Sequence, residues 1–299
     1  MCTEIIDDNF KKQIIFLVNN NWTGRSDYYF PPQNSVNIEK RYIFKLHSYP
    51  YFYYKKDTTN TKRAILFLFL DKNTENTAVI ILKDFTMFKI DIDCSYEYYH
   101  NSIFDISYDP TGICIYDTFM ICSKKINNYS FTDRISEGEI FKHNIISTSI
   151  DITVTSFTNE ILSFKDNLAE TEEIFIVPND LPIITGVNYA CFKWKPANLI
   201  TFSLSLKEDS DDIILSATNF KKELEFAKIH NSDPDGNKYI TTIKSLENYK
   251  NGCILDINIS DKIEIVGINN FKTIPSSMRS IEKILSIKKE NLKLEDLVF

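Results

Sequence analysis

Two lysines one residue apart, Lys193 and Lys195, close a β-rich stretch in the string Phe192-Lys193-Trp194-Lys195-Pro196. Side chains alternate across an extended strand, so a Lys-x-Lys pair presents both ammonium groups on one face. Such a pair suits a phosphate or a carboxylate better than an apolar core, although lysines at strand ends also guard sheet edges. Far upstream, Tyr54-Lys55-Lys56-Asp57 sets further cations beside a carboxylate. The preceding Tyr51-Phe52-Tyr53-Tyr54 offers rings either for base stacking or for plain packing at a strand edge.

The elements that must position these groups read as mostly β. Over residues 3–20 the positions Ile6, Phe10, Ile14, Leu17 and Val18 fall at helical spacing, with Thr3 as cap. Phe30-Pro31-Pro32-Gln33 then opens a loop. From Tyr51 to about Tyr116 successive strands follow, with apolar runs at Ala64–Leu70 and Ala78–Leu82, and Ile113–Ile121 reads as a further strand. Residues 131–145 are helical or irregular, and strands return at Ile174–Val177 and Tyr189–Trp194. Beyond residue 200, short strands at 199–206, 213–218, 224–228, 254–259 and 262–266 suggest a small barrel. A helix over about 277–289 follows them. The fold class is therefore α+β, with an antiparallel-sheet-rich domain over 1–200. A small barrel with a C-terminal helix takes 201–299.

Composition narrows the chemistry. Seven glycines in 299 residues leave little for a glycine-rich phosphate loop. A net charge of −7 argues against a uniformly basic nucleic-acid coat but permits a local basic groove. The six cysteines are scattered, with no C-x-x-C pair. That disfavours a zinc site, a disulfide framework or a disulfide-linked partner, and suits a reducing compartment. His47, His100, His143 and His230 show no ligand-set spacing. With no apolar run long enough to span a bilayer, the expectation is a soluble intracellular protein, cytoplasmic or nuclear, without a membrane partner.

Read in order, the motifs resemble those of the mRNA capping guanylyltransferases, which belong to the lysyl-nucleotidyltransferase superfamily with the DNA and RNA ligases. The residues that carry the resemblance span most of the chain. Phe30-Pro31-Pro32-Gln33-Asn34-Ser35-Val36 is similar to Phe-Pro-Gly-x-Gln-Pro-Val, and Lys55-Lys56-Asp57-Thr58 falls at the nucleophile motif Lys-x-Asp-Gly. Asp105-Ile106-Ser107 falls at Asp-Gly-Glu, and Tyr116-Asp117 on the strand after it. Glu172-Glu173-Ile174-Phe175-Ile176 lies at the next acidic motif. Lys193-Trp194-Lys195-Pro196 is the nearest match, and Asn269-Asn270-Phe271-Lys272 stands where the family has Arg-x-Asp-Lys.

The resemblance implies a nucleotidyltransferase domain followed by an OB-fold-like barrel. It implies Lys55 as the nucleophile attacking the α-phosphate of GTP, with Asp57 beside it. Lys193, Lys195 and Lys272 would hold phosphate, and Asp105 with Glu172 would hold Mg²⁺. The departures fall at these same positions. Thr58 replaces a glycine, Ser107 a carboxylate, Asn269 an arginine and Phe271 an aspartate. Losing groups that offset phosphoryl-transfer charge costs on the order of several kcal/mol each. The leading expectation is thus a non-catalytic guanylyltransferase-like module needing no cofactor. Its partner would be RNA, a ribonucleoprotein or a protein complex such as the ribosome or the transcription or capping machinery. The alternative is an active guanylyltransferase using GTP and Mg²⁺ and passing GMP through lysyl-GMP to diphosphate-ended RNA.

Overall fold

The helical pattern expected over residues 3–20 resolves into two elements. Helix Asp8–Thr23 is capped by Asp7, whose carboxylate accepts from the amides of Asn9 and Phe10 at 2.8 and 3.3 Å. A carboxylate placed so satisfies amides that the first helical turn leaves unpaired, and this fixes the helix start at Asp7 instead of Thr3. Thr3–Glu4 is instead an edge strand paired with Met87–Ile90. The helix stops at Gly24, which has φ of 69°, a left-handed conformation that costs glycine nothing.

The computed structural model describes residues 2–24, 29–57, 60–169, 172–219, 222–259, 263–269 and 274–298. The chain divides into two compact units, Met1–Trp194 with Leu297–Phe299, and Lys195–Asp296.

The first unit is built on an eight-stranded sheet. Its middle runs Met87–Ile90, Asn76–Leu82, Lys62–Leu70, Ser102–Asp109, Gly112–Ile121, all antiparallel. Asp151–Val154 joins Gly112–Ile121 in parallel. Within Lys62–Leu70 the run Ala64–Leu70 is apolar without interruption because both its faces are covered. Ile65, Phe67 and Phe69 lie with Ile14, Ile15, Val18 and Trp22 of the first helix. Ala64, Leu66 and Leu68 lie in a second core with Phe104 and Phe141. Residues expected to be helical or irregular form helix Phe131–His143, capped by Ser130.

A second, four-stranded sheet has the order Asn34–Asn37, Val187–Trp194, Glu172–Pro178, Tyr51–Asp57. Its register opposes Lys56 to Glu173, Lys55 to Ile174, and Lys193 to Phe175. One face of this sheet meets the larger sheet through a cluster containing Tyr54, Tyr116, Phe131, Val177 and Cys191.

The second unit contains a five-stranded antiparallel sheet in the order Lys222–Ile229, Asp212–Asn219, Phe202–Asp209, Ile254–Ile259, Ile263–Ile268. Among the described residues the first and last of these strands are edges, so the expected barrel is seen here as an open sheet. Helix Pro234–Lys244, which the sequence reading lacks, lies between the third and fourth strands in chain order, with proline in its first turn. Helix Met278–Glu290 is capped by Ser277, close to the expected span. The acidic run 208–212 makes a hairpin turn in which Lys228 pairs with Asp209 at 2.9 Å and with Asp212 at 3.4 Å. Among the described residues no helix is long and apolar enough to cross a membrane.

Candidate functional site

Strand Tyr51–Asp57 and its neighbour Glu172–Pro178 divide their side chains between two unlike environments. Alternation puts Phe52, Tyr54 and Lys56 on the face toward the larger sheet, together with their cross-strand partners Glu173, Phe175 and Val177. Lys193, opposite Phe175, shares that face. Tyr51, Tyr53 and Lys55 belong to the other face, with Glu172, Ile174 and Ile176.

On the inter-sheet face the rings form a continuous stack. Tyr54 lies 5.3 Å from Phe175 at an interplanar angle of 9°, 5.3 Å from Tyr116 and 6.0 Å from Phe131. Lys56 ends over the Tyr116 ring, 4.3 Å from its centroid, and is only 7% exposed. Burial pushes its ammonium down from 10.5 to about 8, against the opposing pull of Asp105. The neighbouring carboxylate Glu173 accepts from Lys193 Nζ at 2.7 Å.

The larger sheet contributes two further ion pairs to the same region. Arg63 grips Asp105 with two hydrogen bonds, Nε to Oδ1 at 3.1 Å and Nη2 to Oδ2 at 2.6 Å. The same guanidinium donates to Gln33 O at 2.6 Å and to Asn34 Oδ1 at 3.2 Å, tying the Pro-Pro-Gln segment to the sheet. Asp117, paired across strands with Asp105, is held by Arg134 of helix Phe131–His143 at 2.8 and 3.1 Å. Arg134 is 1% exposed and also donates to Tyr129 O. Burial raises the Asp117 carboxyl while Arg134 opposes the rise. The space bordered by Trp22, Gln33, Asp105, Asp117, Phe119 and Ile183 is about 10 Å³, near the minimum for one water.

Among the described residues of the first unit, those expected from the sequence do not converge on one point. Lys55 Nζ donates to Glu172 Oε2 at 3.0 Å and to Asn167 O at 2.7 Å, on the face away from Lys193. Asp57 instead accepts from Asn60 N and Nδ2, both at 2.8 Å. Asp105 and Glu172 stand on different sheets. Glu172 Oε2 also accepts from the Ala169 amide at 2.9 Å. Lys195 follows the end of strand Val187–Trp194 and begins the second unit, so the strand ends before the second lysine of the pair. Lys272 lies outside the described residues.

Mg²⁺ does not fit the carboxylates assigned to it. Both oxygens of Asp105 are engaged by Arg63, and Glu172 is neutralised by Lys55. Among the described residues no group of three or more His, Cys, Asp or Glu side chains is placed to hold a metal ion.

The sequence marks neither Arg63 nor Arg134, and it shows Lys56, Asp117 and Glu173 only as members of motif strings. One signal for Lys56 and Glu173 was available. Each belongs to the alternate set beside Lys55 or Glu172, and Phe52, Tyr54, Lys56 alternate as regularly as Tyr51, Tyr53, Lys55.

No protein-family model and no curated protein matches the chain. The solved structures to which it is similar include DNA ligases. One is a mycobacterial DNA ligase D complexed with ATP and MES, at 8% identity and a TM-score of 0.43, covering 81% of this chain and 95% of that one. The ligase domain of Mycobacterium tuberculosis LigD is another, at 8% identity and a TM-score of 0.35, covering 88% and 98%. The ATP-dependent DNA ligase from bacteriophage T7 in complex with ATP is a third, at 9% identity and a TM-score of 0.37, covering 80% and 98%.

Proposed function

We propose that this chain is a degenerate nucleotidyltransferase of the ligase and capping-enzyme type that works by binding RNA, a ribonucleoprotein or a protein complex, without transferring a nucleotide. One observation carries the reading: on the inter-sheet face the chain's own cations neutralise its carboxylates. Arg63 holds Asp105, Arg134 holds Asp117 and Lys193 holds Glu173. An active site of this kind needs cations free for phosphate and carboxylates free for metal. The rings of Tyr54, Tyr116, Phe131 and Phe175 occupy the intervening space. In the second unit, the strand order with a helix between third and fourth strands supports an OB-like module, a common surface for binding.

The test is incubation with α-labelled GTP and Mg²⁺ or Mn²⁺, alongside an active capping enzyme. The binding reading expects no acid-labile covalent label on this chain when the active enzyme labels fully. A stoichiometric label would sink it.

A second reading, an active guanylyltransferase, draws on Lys56. Its amine is lowered to about 8, as a nucleophile needs, and attack on the α-phosphate of GTP with release of pyrophosphate would require the rings that bury it to move aside. In this reading Lys56 takes the nucleophile role that the motif gives to Lys55. The label would then vanish in Lys56→Ala and persist in Lys55→Ala.

A further inference from the structure

The 3₁₀ helix Lys40–His47 departs in composition from the acidic chain around it. From Lys40 to Tyr49 the sequence has three Lys or Arg, three Tyr or Phe and no Asp or Glu, in a chain of net charge −7. The helix is seated on the four-stranded sheet on the side away from the larger sheet. Leu46 is buried, and the Tyr42 ring lies 5.6 Å from that of Phe192.

Around this anchor the surface is both aromatic and cationic. Phe44 is 65% exposed, Tyr189 58% and Tyr49 42%. Lys45 Nζ donates to Tyr189 O at 3.3 Å and lies 5.2 Å from the Tyr42 ring centroid. The Arg41 guanidinium lies 4.8 Å from the same centroid, and it pairs with Glu39, the acid that precedes the helix, at 2.9 Å. Exposed rings alone would suit an apolar protein partner. Rings interleaved with cations, in a segment without acids, suit a polyanion whose units carry flat faces.

We propose that this face binds a single-stranded polynucleotide, with Phe44, Tyr49 and Tyr189 stacking on bases and Arg41 and Lys45 neutralising phosphates. The proposal names the partner class of the binding module described above and rests on that reading.

The experiment is fluorescence anisotropy of labelled oligo(rU) and oligo(dT), each about twelve nucleotides, titrated with the full chain at about 50 and about 200 mM salt. Saturable binding that weakens with salt is expected, and the two oligonucleotides distinguish an RNA from a DNA source. Phe44→Ala with Tyr189→Ala should weaken binding about ten-fold or more. Arg41→Gln with Lys45→Gln should weaken it and lower the salt slope by up to about two. Tyr96→Ala, equally exposed but on the Tyr96–Tyr99 turn, should change nothing. Thermal melting of each variant separates loss of binding from loss of fold. Binding of neither oligonucleotide at low salt, as a purely protein-docking surface would give, overturns the proposal. So does binding that ignores both sets of substitutions. The GTP-labelling result is a separate readout: a chain that neither labels nor binds oligonucleotide loses this face as a nucleic-acid site and keeps the non-catalytic reading.

Discussion

Lys55 and Lys56 are consecutive in the chain and face opposite sides of one sheet. Lys55 reaches Glu172 at 3.0 Å, while Lys56 lies 4.3 Å from the centroid of the Tyr116 ring between the two sheets. Their surroundings differ accordingly. The Lys55 side chain is 28% exposed and held by a surface carboxylate, whereas Lys56 is buried among rings and shifted.

The shift on Lys56 predicts a pH dependence of stability. Its ammonium titrates near 8 when folded, against 10.5 ordinarily. Between these values the unfolded chain binds the proton that the folded chain has released, so this group makes stability rise with pH across that window. Below about pH 8 the burial penalty is fully present. Relative to Lys56→Met, the wild-type chain should therefore gain on the order of 1 kcal/mol per pH unit from about pH 8 to pH 10. Urea melts of both proteins at several pH values measure the difference. Parallel curves would show that Lys56 is not desolvated.

Asp117 and Arg134 form the most deeply buried ion pair described, with side chains 10% and 1% exposed. Asp117→Leu alone strands a guanidinium and should cost about 3–5 kcal/mol. Adding Arg134→Met should return much of that loss, because the charge left without a partner causes most of it. Denaturant titration of the two single variants and the double variant gives the coupling directly.

Arg63 links strand Lys62–Leu70 to the segment that carries Gln33 and Asn34. Arg63→Met should destabilise by about 1–3 kcal/mol through the unpaired Asp105. It should also raise amide hydrogen exchange over residues 33–37 more than over the strand core. Unchanged exchange there would mean that the segment is held by Val36 and Ile38 packing alone.

Lys55 and Glu172 are both partly exposed, so their pair should contribute little. Lys55→Ala should shift stability by no more than about 1 kcal/mol. The same variant should leave the pH dependence assigned to Lys56 intact, which distinguishes the two neighbouring lysines in one set of melts.

Gly236 tests the second unit, where a Cβ on its backbone would stand 2.0 Å from the His230 carbonyl oxygen. Gly236→Ala should therefore cost about 1–3 kcal/mol by forcing the start of helix Pro234–Lys244 outward. Calorimetry would register this as a lowered melting temperature.

The apolar runs Ala64–Leu70 and Ala78–Leu82 were legible as buried strands from residue type alone, because no helix-period pattern competes there, and they form most of strands Lys62–Leu70 and Asn76–Leu82. The motif strings likewise marked the strands that carry Asp105, Asp117, Glu172 and Lys193. Helix Pro234–Lys244 was not legible, and helix Phe131–His143 only in part. The second has weak amphipathic character because Arg134, Ile135 and Gly138 are all buried among different neighbours. What the sequence by itself determined is which strands exist and which of them bear charge. It did not determine which way the charges face. Tyr51, Tyr53, Lys55 and Phe52, Tyr54, Lys56 are equivalent as alternating sets, and a one-residue choice exchanges the two faces of the strand. The register against Glu172–Pro178 and the contact with the larger sheet made that choice. They put Lys56 and Glu173 between the sheets and left Lys55 and Glu172 to pair on the opposite face. Tertiary structure also brought Arg63 and Arg134 to their aspartates across 42 and 17 residues, a pairing set by backbone geometry that no local pattern encodes.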